Sequence, residues 1–352
     1  VRELINIFMT IDIEDYTSTN KIDLLIIFPC NATVLDNVNE VMDYNSMQAH
    51  FICQALRSTT LTMNIVCVCI PDIWKPKGTK NKISFARLTT ALNAKGIAIS
   101  NCHHLLITTL NSSRQYGKDL IDNLLLSISG NVYKFEDRNI RISNNNRLVT
   151  IGHYSKGPEE ANFINAGIAV PTSVFVPQQD HDSRVYRVHV DHNYPNVASC
   201  FDEIKTALMQ LQEKIYQHSE WDSLEVIYHT RVSEINEIGH FNTTNVSIGE
   251  LARIYGRCHL AFLSHRESLG QYPFEMAAAG ASVIVLKKKY LPVIKSATTA
   301  HRVQIEDVNY DMFLNKAYVT KAYKINQYSV AHLGYDRFVR NFLDAMFNIS
   351  SD

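Results

Sequence analysis

Apolar runs of strand length, set apart by helix-length amphipathic segments, recur along this chain and restrict it to one kind of architecture. Ile22–Phe28, Met63–Ile70, His104–Thr109 and Arg147–Ile151 are such runs in the first half; Tyr186–Asp191, Leu224–Tyr228, Leu260–Leu263 and Ser282–Leu286 follow in the second. Several are apolar without interruption, the pattern of strands covered on both faces in a parallel sheet. Between them, Val38–Leu56, Ser84–Ala94, Gly117–Leu126 and Phe201–Ile215 carry helical spacing. In the last of these, Ile204, Leu208, Leu211 and Ile215 share one face. Strand, helix and strand in alternation predict an α/β fold. Ligands of such sheets sit at the carboxyl ends of the strands. Attention therefore falls on Cys30-Asn31, Asn111-Ser112 and Gly152-His153-Tyr154. There His153 reads either as a site residue or as a satisfied structural histidine.

A chain of 352 residues has room for two such domains. Ala166–Pro177 reads as the crossing between them, and polar Gln178–Ser183 as a linker or cleft-lining loop. Residues 1–20 are patterned too weakly to choose between a loose helix and an added strand. Tyr310–Leu314 reads as a short helix, and Leu333–Phe347 as a longer amphipathic one. The longest apolar runs fall far short of the ~20 residues of a membrane span. No signal-peptide pattern opens the sequence, which starts at Val1 and is expected to be a fragment or processed form. A net charge of −1 gives no global drive towards nucleic acid or anionic lipid. The most basic short stretch, Trp74–Lys82, reads either as a solvated loop or as a patch for an anionic partner. Seven scattered cysteines lack zinc-type paired spacing and argue against a disulfide framework. The expectation is a reducing, cytoplasmic setting with no metal.

The most specific stretch is Ser247–Leu286. Leu251, Ile254 and Tyr255 recur at helical spacing, Leu260–Leu263 is an apolar strand, and Arg266–Gly270 is a polar loop. A second helix begins near Tyr272-Pro273, where proline is tolerated in a first turn. Gly280 closes it, and the next buried strand follows. Glu267 and Glu275 bracket the turn with seven residues between them. Glu275 lies among Phe274, Met276 and Ala277, so its carboxylate needs a partner to offset desolvation.

Ser264, Glu267, Ser268, Leu269, Gly270, Glu275, Met276, Ala277 and Gly280 fall in register with one signature, and Leu251 and Tyr255 match the helix before it. This segment resembles the donor-binding signature of retaining glycosyltransferases of the two-Rossmann GT-B fold, the group 1 or family 4-like enzymes. About forty residues carry the resemblance; elsewhere only the architecture agrees. It implies two Rossmann-like domains with parallel sheets facing across a cleft. Residues 1–177 would bind the acceptor and 178–330 the donor, and a helix within 331–352 would return to the first domain. The implied donor is a UDP-, GDP- or dTDP-sugar, transferred with retention to an acceptor hydroxyl, most often of a glycan. Neither a cofactor nor a metal is expected.

The resemblance assigns the ribose to Glu275, the donor sugar or reaction centre to Glu267, and the diphosphate to Ser268, Leu269 and Gly270. A helix N-terminus with a glycine beside it suits phosphate. The Arg/Lys pair that clamps the diphosphate in many relatives has no counterpart in Val190–Pro195. His192 and Arg231, which follow strands, are the candidates to replace it. Phe241 falls where relatives place the base, and packs either on the base or on the core. Three other readings stay open: a phage-type glycosyltransferase acting on a modified DNA base, a non-catalytic nucleotide- or glycan-binding protein, and a nucleotide-sugar epimerase.

Overall fold

The computed structural model describes residues 8–9, 21–59, 63–71, 84–108, 115–136, 145–152, 162–167, 169–178, 184–191, 201–229, 240–242, 246–263, 271–285, 300–302, 308–320 and 333–348. The chain divides into two compact units: Val1–Ile168 with Tyr335–Asp352, and Ala169–Gly334. Among the described residues no helix is long and apolar enough to cross a membrane.

The first unit holds strands β1 (Phe8–Met9), β2 (Ile22–Phe28), β3 (Ile65–Cys69), β4 (Cys102–Ile107), β5 (Val132–Glu136), β6 (Leu148–Gly152) and β7 (Phe163–Asn165). They pair in the order β1-β3-β2-β4-β5-β6-β7, every pair parallel. Helices α1 (Tyr44–Ser58), α2 (Phe85–Asn93) and α3 (Gln115–Ser127) connect them. Leu88 and Leu92 of α2 and Leu120 and Leu124 of α3 bury against Ile27, Val68, Leu105 and Ile107. The last helix of the chain, Tyr335–Phe347, belongs to this unit. Its Tyr335 stacks on Phe51 of α1, Phe338 lies 5.4 Å from Phe135 of β5, and the Asn341 side chain donates to the Ala166 carbonyl.

Helix α1 starts at Tyr44, not at Val38. Asp43 takes the N-cap, its carboxylate accepting the Asn45 and Ser46 amides, and two short 3-10 turns at Ala32–Leu35 and Val38–Glu40 precede it. Strand β5 has no counterpart in the sequence reading. Lys134 interrupts its apolar pattern, yet is fully buried. At the chain start, Phe8–Met9 is an added edge strand.

The second unit holds β8 (Val185–Asp191), β9 (Ser223–His229), β10 (His240–Asn242), β11 (Leu260–Leu263), β12 (Ser282–Val285) and β13 (Ala300–Arg302), with helices α4 (Phe201–Tyr216), α5 (Ile248–Tyr255), α6 (Gln271–Ala278) and α7 (Tyr310–Leu314). The final helix Tyr335–Phe347 is thus α8. The second sheet runs β10-β9-β8-β11-β12-β13, again parallel throughout. Tyr186, Val188 and Val190 of β8 bury against Ile204, Leu208 and Leu211 of α4. Residues 171–178 lie with this unit: Gln178 N–H donates to the Gly256 carbonyl, and a Cβ on Gly256 would stand 2.5 Å from the Val176 oxygen.

Candidate functional site

In the second sheet the chain runs outward from β8 to β9 and β10, then returns to lay β11 on the other side of β8. That reversal is a topological switch point, and the crevice outside the carboxyl ends of β8 and β11 is where such a sheet takes a ligand. Asp191 and Leu263 are register partners and the last residues of those strands. The sequence candidates His192 and Ser268-Leu269-Gly270, with Glu267, fall in the segments that leave these two ends. Their positions lie outside the described residues, as do His153 and Arg231. Phe241 is on β10, paired with Ile227. Two strand spacings separate β10 from β8, about 10 Å.

Helix α6 follows β11 and packs on β11 and β12, and its sequence explains its position. Tyr272 through Ala278 are all buried. Small residues Ala277, Ala278 and Ala279 let the helix approach β11 and β12 closely. A Schellman turn ends it: Ala281 N–H donates to the Met276 carbonyl and Gly280 N–H to that of Ala277. Gly280 has φ +96°, which only glycine adopts without strain. In the first turn Gln271, Tyr272 and Phe274 have backbone N–H groups without an i−4 partner inside the helix, and Pro273 has none to offer. The Gln271 side chain donates to the Ala169 carbonyl. Glu275, one turn in, is the only acid of α6 and is 7% exposed.

Helix α5 leads into β11. Ser247 caps it by accepting the Glu250 amide, as the Ser-x-x-Glu spacing at 247–250 allows. Below the crevice, Arg187 of β8 bonds its register partner Glu225 of β9 at 2.6 Å. Two residues further along β8, His189 is fully buried, with Nδ1 2.8 Å from the Tyr272 hydroxyl. Neither His189 nor Tyr272 is among the candidate residues of the sequence. A signal was there: Arg187, His189 and Asp191 put every polar residue of β8 on one face, opposite Tyr186, Val188 and Val190. Among the described residues no group of three or more His, Cys, Asp or Glu is placed to hold a metal ion.

No protein-family model and no curated protein matches the sequence. Solved structures match by shape. Sucrose-phosphate synthase from Thermosynechococcus elongatus superposes with a TM-score of 0.59 at 10% identity, over 94% of this chain and 100% of that one. An alpha-glucosyltransferase in complex with UDP and a 13-mer DNA containing an HMU base gives 0.55 at 9%, over 93% and 99%. UDP-GlcNAc 2-epimerase from Neisseria meningitidis, bound to UDP-GlcNAc, gives 0.50 at 12%, over 93% and 100%. The two-sheet α/β architecture is the GT-B fold.

Proposed function

We propose that this protein is a glycosyltransferase that moves a sugar from a nucleotide-sugar donor to an acceptor hydroxyl with retention of configuration. The observation that carries the reading is Glu275: a carboxylate almost wholly buried in a helix that borders the switch-point crevice of the second sheet. A buried charge in such a place costs several kcal/mol unless groups around it or a ligand satisfy it. A carboxylate accepts two hydroxyl hydrogen bonds at once, which suits a ribose diol. The role of Glu275 is to fix the ribose. The segment before α6 then carries the diphosphate on the amides of Ser268, Leu269 and Gly270, and Glu267 faces the donor sugar at the reaction centre. Arg231 and His192 supply charge or hydrogen bonds in place of the absent basic clamp. Phe241 packs on the base, and His153 acts from the acceptor side.

The reaction needs no protein nucleophile. The acceptor hydroxyl attacks the anomeric carbon on the face the leaving phosphate departs from, the C–O bond to phosphate breaks, and the hydroxyl proton passes to a phosphate oxygen. The protein's work is positioning and stabilisation of the developing charge on the diphosphate. The acceptor we favour is a glycan. A DNA acceptor is the second reading, favoured by the basic stretch Trp74–Lys82 and by a shape shared with an enzyme solved on DNA. A duplex affinity that falls steeply with salt, and that loses this dependence on neutralising Lys75, Lys77, Lys80 and Lys82, selects it.

Calorimetric titration of UDP, GDP and dTDP into the wild-type protein and Glu275→Ala tests the donor assignment. We expect binding of at least one nucleotide by the wild type, and a marked weakening of it in a variant that keeps its thermal transition. Equal affinity in both overturns the ribose role. A nucleotide sugar recovered as its 2-epimer, with no transfer, replaces the reading with an epimerase.

A further inference from the structure

The candidate site rests on a polar contact inside the core that the proposed chemistry leaves unassigned. Along β8, His189 lies two residues before the carboxyl end of the strand, level with Ala261 of β11 and Ile227 of β9. An imidazole fully buried in the middle of a sheet is costly, and a hydrogen bond at Nδ1 offsets part of that cost. Its Nδ1 is 2.8 Å from Tyr272 Oη, and Oη is 3.3 Å from the carbonyl oxygen of His189 itself. One arrangement satisfies both contacts: Nδ1–H donates to Oη, and the phenol O–H donates to the carbonyl. Two further rings extend the cluster. Tyr255 of α5 meets His189 edge-on at 4.8 Å and Tyr272 at 5.8 Å, and Phe175 stacks on Tyr255 at 5.5 Å.

Tyr272 is the second residue of α6, and Glu275 lies three residues on, on the same side of the helix. The hydrogen bonds between Tyr272 and His189 therefore tie the first turn of α6 to the central strand of the sheet. They set the rotation of the helix about its own axis. At a side-chain radius of about 5–6 Å, a rotation of roughly 10° moves the carboxylate by about 1 Å. Displacements of that size cost on the order of a hundredfold in rate at a reacting centre, and less at a binding contact. A phenylalanine at 272 would bury as well. The hydroxyl adds direction.

We propose that His189 and Tyr272 are a positioning pair that fixes α6 so that Glu275 meets the two hydroxyls of a ribose. The inference rests on the ribose role given to Glu275 above. It goes beyond that role by making a strand histidine and a helix tyrosine set the selectivity of the site for ribonucleotides.

The test compares UDP and GDP with their 2′,3′-dideoxy forms by calorimetry, on wild type, Tyr272→Phe, His189→Leu, His189→Asn and Glu275→Ala. The ratio of ribo to dideoxy affinity is the readout, because a loss of packing alone would weaken both forms equally. The wild type is expected to favour the ribo form and Glu275→Ala to abolish that preference. Tyr272→Phe and His189→Leu should shrink it about threefold to tenfold with dideoxy binding little changed. His189→Asn, which keeps a donor near the Nδ1 position, should restore much of it. A wild-type ratio in Tyr272→Phe overturns the positioning pair while leaving the ribose role of Glu275 intact. A wild-type ratio in Glu275→Ala, or no nucleotide binding by the wild type, overturns both.

Discussion

Acid should destabilise the second unit through His259, and the size of the effect follows from its surroundings. The residue directly precedes β11, and its Nδ1 accepts the backbone N–H of Arg187 at 2.9 Å. Its ring stacks on Tyr186 at 5.0 Å and meets Trp221 at 5.0 Å. Burial, and then the nearby charges of Arg187 and Lys316, lower its pKa from 6.5 to about 4. Between those two values the unfolded chain binds a proton that the folded chain refuses. Stability from this residue is thus complete above pH 6.5 and is lost as pH falls towards 4. At 1.36 kcal/mol per unit, the deficit reaches about 2 kcal/mol at pH 5. Urea titrations at pH 7.5 and pH 5.0 measure it, and Trp221 reports the local transition once Trp74, the second tryptophan, is replaced by Phe. Carboxylates add their own acid dependence, so the comparison is with His259→Asn, whose amide oxygen can still accept the Arg187 amide. Wild type should lose about 2 kcal/mol more than the variant on acidification. Equal losses would refute the assignment of the buried neutral imidazole.

Two further predictions concern the first unit. Arg147 donates to the carbonyls of Leu125, Ile128 and Gly130 and so caps the C-terminal end of α3; Arg147→Met should cost about 2–3 kcal/mol in a denaturant titration, and a loss below ~0.5 kcal/mol would show the cap to be dispensable. Phe338 of α8 is fully buried against Phe135 and Phe342; Phe338→Ala should cost about 3–5 kcal/mol if α8 is part of this unit's core, and an unchanged midpoint would show that it is not.

What the sequence disclosed followed from how strongly each element depends on its own residues. Seven-residue β2 and five-residue β3 are buried on both faces, so their apolar runs announce them. Strand β5 is equally buried, but the fully buried Lys134 breaks the run, and the strand is held between β4 and β6 by pairing that its own sequence does not show. The three-residue strands β7, β10 and β13 are too short to carry any period. The burial of Glu275 was legible from its apolar neighbours Phe274, Met276 and Ala277, and its candidacy came from the register of Ser264, Gly270, Met276 and Gly280 with one signature. The pair His189–Tyr272 was not legible, because its partners are 83 residues apart and meet only once α6 is laid over the interior strand β8. The start of α1 was misplaced for a related reason: Val38 and Val41 fit the helical period, but the Asp43 cap decides where the helix begins.

Along the strand direction, groups that hold the fold lie apart from the proposed site, and His189 is proposed to serve both. At the amino edges sit the neutral histidines. His259 accepts an amide at the start of β8, and His104, lowered to about 4 chiefly by burial and then by His103, accepts the Asn131 amide before β5. Neither residue faces the carboxyl-end crevices where a parallel sheet binds its ligand. Four residues of β11 alone put roughly 10 Å or more between His259 and the far edge. Changes at these edges should therefore move folding free energy without altering the affinity of the folded protein. His189 is different, because it is central in β8 and bonded to the first turn of the helix that holds Glu275. Removing its imidazole takes away a core contact and a site contact together. A substitution there should lower stability and ribose selectivity in the same variant, whereas Tyr272→Phe, which leaves the ring packing in place, should lower selectivity with little loss of stability.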